Sequence, residues 1–228
     1  MTELKLTRES ILDGSLRESS RRLLGHDMPS MGDEERTLQI RAVLARAPRP
    51  DRVWVFGYGS LMWNPAFHFA ERRTALIYGH HREFCLSARA GRGSPQHPGL
   101  MLALERGGSC HGVAYRLHPD QSECELDIVW RREMGSMTYT PVWVKARTAA
   151  GIEHAIAFIA NCSHERYLAR VEAKERTRLI ATGSGPLGRC RDYLYEMVAH
   201  LRELGIRDRR MEALEAHIRA YAHPVLVR

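Results

Sequence analysis

The segment Val-Trp-Val-Phe-Gly-Tyr-Gly-Ser-Leu, residues 53–61, is the part of the chain from which the fold is best deduced. Its β-branched and aromatic residues, ended by glycine, predict a short buried strand. Gly57 and Gly59 then permit a tight turn whose backbone can approach a ligand closely, because no Cβ obstructs it. The N–H groups of such a turn can bind an anion or a carbonyl oxygen. These residues alone are equally consistent with a strand-to-loop turn that binds nothing.

Three common glycine motifs do not fit this turn. Gly57-x-Gly59 lacks the third glycine of a dinucleotide-binding fingerprint, and no Lys-Ser/Thr pair follows as a P-loop requires. Ser60 is not framed as Gly-x-Ser-x-Gly, the nucleophile motif of many hydrolases. The turn therefore indicates a different binding chemistry, if it binds a ligand at all.

The composition is that of a folded globular protein. The chain has 228 residues, of which 44% are hydrophobic and 27% charged, enough for one large domain or one domain with an appendage. No apolar run approaches the roughly 20 residues that a membrane-spanning helix needs, and residues 1–5 do not open a signal peptide. We expect a cytoplasmic protein that does not associate with membranes.

Charge and cysteine content bear on the possible partners. The net charge of +7 is compatible with nucleic-acid binding, but the basic residues are interleaved with acidic ones and an anionic small substrate explains the charge equally well. Five cysteines without a Cys-x-x-Cys pair disfavour a disulfide framework and a zinc ribbon. Cys162 with His164, and Cys110 with His111, do not match a known zinc spacing. We expect a small-molecule substrate, no nucleic acid, no metal and no cofactor.

Hydrophobic periodicity predicts an α+β protein in which an antiparallel or mixed sheet curls into a barrel and helices pack around it. Many short strands with few helices between them are typical of a sheet that curls into a barrel. Residues 1–50 are predicted to form an N-terminal helical extension, and residues 51–228 the main domain. Strands are predicted at 53–57, 74–78, 83–87, 100–104, 112–117, 138–146 and 152–160, with turns at 91–95 and 107–108. Helices are predicted at 7–24, interrupted by Gly14, and at 33–46, 120–134, 167–180, 189–204 and 211–221.

One helix directs a carboxylate toward the core. Leu126, Val129 and Trp130 form an apolar stripe on helix 120–134, and Glu133 is the next position on that stripe. Burial raises the pKa of a carboxyl group toward the range that suits a general base. The alternatives are a structural glutamate bonded to backbone N–H groups, or a stripe that ends one residue earlier.

Several unrelated motifs occur in register and together resemble one family, the ChaC-like gamma-glutamylcyclotransferases. The similarity extends from Val53 to about Leu214. The segments are Phe-Gly-Tyr-Gly-Ser-Leu (56–61), Arg-Gly-Ser-Pro (92–95), Pro-Gly-Leu (98–100), Gly-Val-Ala-Tyr-Arg-Leu (112–117), Trp-Arg-Arg-Glu-Met (130–134) and Arg-Asp-Tyr-Leu (191–194).

This resemblance implies the gamma-glutamylcyclotransferase fold, a small mixed β-barrel flanked by helices. It also implies a lyase that cleaves glutathione into 5-oxoproline and Cys-Gly without a cofactor. It assigns the catalytic glutamate to Glu133, the residue that helical periodicity also points inward. The turn that holds the gamma-glutamyl group maps to Tyr58, Gly59, Ser60 and Leu61, and Tyr139 and Tyr167 are further candidates for substrate binding.

The sequence departs from the family pattern on what would be the Cys-Gly side of the pocket. It has Gly135-Ser136-Met137 where some members have Gly-Gly-Tyr, and Ser94 where threonine is frequent. Four alternatives stay open at this point: a non-catalytic protein that binds gamma-glutamyl compounds, a cyclotransferase for other gamma-glutamyl amines, a hydrolase with Ser60 as nucleophile, and a nucleic-acid-binding protein.

Overall fold

The apolar run before the glycine turn forms the first strand of a closed five-stranded barrel. This computed structural model describes residues 5–24 and 31–222. The strands are β1 (Trp54–Gly57), β2 (Glu71–Ala88), β3 (Gly99–Arg116), β4 (Tyr139–Thr148) and β5 (Gly151–Ala160), in the spatial order β1-β3-β2-β4-β5. β1 pairs antiparallel with β3 and parallel with β5, which closes a mixed sheet. The predicted fold class is confirmed.

The two longest strands form one hairpin, and here the predicted boundaries were wrong. The four strands expected between residues 74 and 117 are in fact β2 and β3, each 18 residues long. Gly107 and Gly108 have positive φ values of 100° and 68°, yet they lie inside β3 rather than in a chain-reversing turn. The register shifts between Tyr78 and His80 on the partner strand, so an irregularity in the ladder accommodates the glycines.

Helices lie before, within and after the strand sequence. α1 (Arg8–Leu12), α2 (Ser15–Leu24) and α3 (Asp33–Leu44) precede the barrel, and α4 (Ser122–Glu133) connects β3 to β4. α5 (Ala173–Thr182), α6 (Cys190–Glu203) and α7 (Arg209–Ala222) follow, with a small hairpin of β6 (Ser184–Gly185) and β7 (Gly188–Arg189) between α5 and α6.

Most predicted helices are present, and one of them begins later than predicted. Gly14, with φ of 77°, separates α1 from α2 at the expected interruption. The helix predicted from residue 167 begins only at Ala173, because residues 167 and 168 bond to β2 instead. Residues 1–4 and 25–30 of the predicted extension, and 223–228 at the other end, lie outside the described part. Within the described part, every helix is too short or too polar to span a bilayer.

α4 is covered on two sides, which matters for the site at its end. On the barrel side, Trp130 packs edge-to-face on Phe158 with ring centroids 5.2 Å apart. On the other side lies the N-terminal extension, where the Arg8 guanidinium donates to both carboxylate oxygens of Glu125 at 2.7 and 2.9 Å. Gln39 of α3 accepts a hydrogen bond from the Trp130 indole at 3.4 Å. The extension therefore packs against the helix that carries Glu133.

Candidate active site

The turn after β1 brings the chain into contact with itself and with α6. A Cβ on Gly57 would lie 2.9 Å from the Cβ of Leu61, and a Cβ on Gly59 would lie 2.6 Å from the hydroxyl oxygen of Tyr193. Both distances are shorter than carbon atoms tolerate, so the turn can be this tight only with glycine at both positions. A single turn of 3-10 helix, Ser60–Met62, follows.

Buried polar side chains hold the carbonyl groups of this turn. Arg82, only 3% exposed, donates from Nε to the Tyr58 carbonyl at 2.6 Å. The Tyr115 hydroxyl lies 2.9 Å from the carbonyl oxygens of both Leu61 and Met62. Because buried side chains of β2 and β3 bond these carbonyls, the turn has a fixed shape before any ligand arrives.

The side chain of Tyr58 contributes to the barrel itself. Its hydroxyl donates to the Phe158 carbonyl at 2.8 Å, inside the core. Phe158 stands in register with Pro141, which has no N–H group to donate. Tyr58 thus ties the turn to β5, and its binding role stays a prediction.

Glu133, the last residue of α4, is connected to this turn by the side chain of Arg132. The Arg132 guanidinium donates to Ser60 Oγ at 2.8 Å, and its Nε lies 3.1 Å from Glu133 Oε1. The two side chains are only 5% and 15% exposed. Arg132 also donates to the Asn64 carbonyl just after the turn. One buried cation therefore connects the carboxylate, the serine and the turn.

The environment of Glu133 shifts its acidity in the direction expected of a general base. Burial raises the pKa of Glu133, since the charged carboxylate is poorly solvated. The charge of Arg132 and the hydrogen bond from it oppose that rise. Burial thus favours the protonated form of Glu133, and Arg132 favours the carboxylate form. Opposing influences of this kind on a pKa are common at sites of proton transfer.

Two tyrosines complete the surroundings of the carboxylate. Burial, and then the charge of Glu133, raise the pKa of Tyr193 to about 12. Burial and the Glu133 charge likewise raise the pKa of Tyr139, whose hydroxyl donates to the Leu102 carbonyl at 2.9 Å. Both phenols therefore stay protonated at neutral pH and retain an O–H group that can donate a hydrogen bond.

The structure brings together most of the residues that the sequence singled out. Gly59, Ser60 and Glu133 meet around Arg132 and Tyr193, and Tyr139 is close enough for its pKa to respond to Glu133. Tyr167 lies with a different group of residues: it forms an isolated β-bridge with Leu86 of β2, and its pKa is raised by the neighbouring Glu105 side chain. Its role in substrate binding stays a prediction.

Sequence reasoning did not select Arg132 and Tyr193 as site residues. Arg132 falls off the apolar stripe of α4, but the stripe describes only the barrel side, and the N-terminal extension covers the other side. Tyr193 lies within the Arg-Asp-Tyr-Leu segment that carried part of the family resemblance. That segment was the only indication in the sequence that Tyr193 belongs to the site. The helical pattern around Leu194 and Met197 indicated only that this helix packs against the core.

Comparison with known proteins identifies relatives that match most of this chain. The family model described as "ChaC-like protein" matches residues 53–221. A glutathione-specific gamma-glutamylcyclotransferase from Escherichia coli K12 is 44% identical over 176 residues, 77% of this chain and 76% of the relative. Gamma-glutamylcyclotransferase 2-1 of Arabidopsis thaliana is 35% identical over 155 residues, 64% of this chain and 72% of the relative.

A solved structure shares the fold. The crystal structure of a yeast gamma-glutamyl cyclotransferase specific to glutathione superposes with a TM-score of 0.69 at 21% identity. The match covers 77% of this chain and 99% of the yeast chain. The barrel with its flanking helices is therefore the architecture found in that enzyme.

Proposed function

The chain belongs to the ChaC-like protein family, and from this premise we propose that it is a glutathione-specific gamma-glutamylcyclotransferase. The enzyme is a lyase that converts glutathione into 5-oxoproline and Cys-Gly. The observation that carries this function is the 44% identity to the Escherichia coli enzyme across three quarters of both chains. The buried Glu133 beside the glycine turn supplies the chemistry that such a reaction needs.

The reaction is an internal displacement. The α-amino nitrogen of the glutamyl group attacks its own γ-carbonyl carbon, a five-membered ring forms, and the amide bond to cysteine breaks. Both reacting groups belong to one molecule, so the enzyme has to fold the glutamyl chain into the reactive shape and move protons. Water is not consumed, and every atom of glutathione ends in one of the two products.

Glu133 is the proton carrier in this proposal. The α-amino group attacks only when neutral, so a base must take a proton from the ammonium form. Glu133, as carboxylate, accepts that proton and returns one to the departing cysteine nitrogen. Its Oε1 is bonded to Arg132, which leaves Oε2 for the substrate as far as the described contacts go. The upward shift of its pKa makes Glu133 a stronger base than an ordinary glutamate.

The turn holds the gamma-glutamyl group. Gly59, Ser60 and Leu61 present a backbone that is already fixed by Arg82 and Tyr115. N–H groups of this turn stabilise the carbonyl oxygen as it gains negative charge, a contribution of about 3–4 kcal/mol for a good donor.

The contacts of Ser60 argue against the hydrolase alternative. A serine nucleophile needs a neighbouring base to take its proton. The partner of Ser60 Oγ in the described contacts is the Arg132 guanidinium, a donor that cannot accept a proton. Ser60 is thus placed to orient substrate rather than to attack it.

Product analysis tests the proposed function directly. Purified protein incubated with glutathione should release 5-oxoproline and Cys-Gly in equal amounts, with no glutamate. Glutamate in place of 5-oxoproline would indicate hydrolysis, and binding without turnover would indicate a non-catalytic protein. Gamma-glutamyl-alanine serves as the second substrate, because equal efficiency on it would contradict specificity for glutathione.

A further inference from the structure

A pocket of about 270 Å³ lies between the N-terminal helices and the end of α4. Leu6, Ile11 and Ser19 of the extension line one side, and Arg132 and Gly135 line the other. Arg132 is the same side chain that contacts Ser60 and Glu133. The pocket and the proposed reaction centre therefore have Arg132 in common. Its volume is just below the range of about 300–1,000 Å³ that is typical of sites for drug-sized ligands, so it suits a smaller ligand or part of one.

The pocket is suited to an anion. Among the described residues, its lining contains arginines and neither aspartate nor glutamate. Arg36 and Arg131 share Asp127 as an ion-pair partner, and Arg132 pairs with Glu133. The lining arginines are Arg17, Arg36, Arg131, Arg132 and Arg166.

Arg166 differs from these paired arginines. Its Nε donates to the Ser87 carbonyl at 2.9 Å, which holds the guanidinium against the end of β2. No carboxylate within residues 5–24 and 31–222 forms an ion pair with it, although the side chain is half-buried. Burial lowers the pKa of Arg166, which is the cost of holding a charge away from water. A bound carboxylate would offset that cost, and it could accept two parallel hydrogen bonds from the Arg166 guanidinium.

We propose that this pocket is the subsite for the Cys-Gly part of the substrate, with Arg166 binding the glycine carboxylate and α1 and α2 forming the outer wall. The inference rests on the proposed function. It places residues outside the family-matched region 53–221 in the substrate site. It also gives the segment Gly135-Ser136, where this chain departs from the family pattern, a location on the wall that faces Cys-Gly.

The outer wall is anchored to the segment just after the glycine turn and to α4. Asn64, which follows the glycine turn, donates to the Leu6 carbonyl at 2.7 Å. Arg8 binds Glu125 on α4, the helix that ends at Glu133. A wall fixed to the turn and to α4 keeps a constant position relative to the scissile bond, as a specificity subsite requires.

The experiment compares glutathione with its C-terminal amide, in which the glycine carboxylate is replaced by a neutral carboxamide. Wild type should prefer glutathione. Arg166→Gln should lower kcat/KM for glutathione about tenfold to a hundredfold, mainly through KM, and should leave kcat/KM for the amide unchanged. Arg170→Gln, a change of an exposed arginine in the same loop, is the matched control and should behave as wild type.

A second variant tests the wall independently of Arg166. Ser19→Glu introduces a carboxylate on the α2 side of the pocket and should weaken glutathione binding while leaving the amide unaffected. The proposal is overturned if wild type turns over acid and amide equally, or if both variants retain the wild-type preference. Failure of wild type to form 5-oxoproline from glutathione would instead overturn the proposed function, so the two outcomes are separate.

Discussion

The hydroxyl oxygen of Tyr193 lies over Gly59, 2.6 Å from the position that a Cβ atom would take. Tyr193 is buried, and its ring is held in place by Phe84, with centroids 6.2 Å apart, and by Trp63 at 5.8 Å. The glycine turn and α6 are therefore matched to each other at the level of single atoms. A side chain at position 59 would displace either the turn or the tyrosine.

Gly59→Val should abolish most activity while the protein stays folded, because the added atoms occupy the space of the Tyr193 hydroxyl. The measurements are kcat/KM for glutathione and thermal unfolding. Gly59→Ala should show a milder loss, and adding Tyr193→Phe should recover part of the loss in stability, because it removes the atom that collides. Undiminished activity in Gly59→Val would mean that the turn is only a connection.

Glu133→Gln should lower turnover by about a hundredfold or more, the usual scale for loss of a general base, while glutathione still binds. Glutamine keeps the size and hydrogen-bonding capacity of the side chain but cannot accept the proton. Single-turnover kinetics and calorimetric titration with glutathione separate the two effects. Near-normal turnover would remove Glu133 from the mechanism, and a variant that did not fold would favour a purely structural glutamate.

The pH profile of wild type should have an acidic limb that belongs to Glu133. The base works only when ionised, so activity falls as pH drops through its pKa. Because burial raises that pKa, the limb should lie above the value of 4.5 for an ordinary glutamate. The residual activity of Glu133→Gln should lack this limb. A limb that persists there would assign it to another group.

Arg132→Met should move the acidic limb to higher pH and lower kcat more than it changes KM. Arg132 opposes the rise in the Glu133 pKa by its charge and its hydrogen bond, so its removal lets the pKa rise further. Arg132→Lys retains the positive charge, so its acidic limb should lie closer to that of wild type than the limb of Arg132→Met does. The lysine cannot contact Glu133 and Ser60 at once as the arginine does. An unshifted limb in Arg132→Met would show that Arg132 only supports the fold.

Arg8→Met should reduce the free energy of unfolding by about 1.5–3 kcal/mol at neutral pH, the range for hydrogen bonds to a charged group. Glu125 is only 3% exposed and would lose both hydrogen bonds from Arg8. Burial alone would raise the pKa of Glu125, but the bonds from Arg8 and from the His68 N–H group outweigh it and lower the pKa.

A folded-state pKa below 4.5 contributes stability that is present above that value and lost as pH falls through the lowered pKa. The difference between wild type and Arg8→Met should therefore shrink on acidification below 4.5. Urea unfolding over a series of pH values checks this. Arg8→Lys is the control for charge without the two-pronged geometry, and a pH-independent difference would contradict the ion pair as its source.

The part of the site that could be predicted consists of residues whose signal is local. Glu133 follows from the spacing of Leu126, Val129 and Trp130, and the glycine turn follows from nine consecutive residues. The site also depends on contacts between distant segments: Arg132 meets Ser60 across 72 positions, and Tyr193 meets Gly59 only because α6 folds back over the barrel. No periodicity within one element contains that information.

The strands and helices show the same difference between features set by local sequence and features set by contacts between distant segments. The alternation of apolar residues identified all five barrel strands in outline, but Gly107 and Gly108 were interpreted as a turn. Their positive φ values are common to turns and to bulges, and only the pairing of β3 with β2 distinguishes the two. The N-terminal helices were likewise recognised without their partners, since Arg8 and Glu125 lie 117 positions apart.

The parallel pairing of β1 with β5 has a consequence for synthesis of the chain. Trp54 pairs with Ala155, so the strand that leads into the glycine turn leaves the ribosome about 100 residues before its last neighbour. At typical translation rates this interval is about 5–20 s, during which the barrel is open along one seam. During that time Val55 and Phe56 lie on a strand that lacks one neighbour, and pairing of this strand with exposed strands of other chains would interfere with folding. A product that stalls before Gly151 lacks β5 altogether, so ribosome-bound fragments should not consume glutathione.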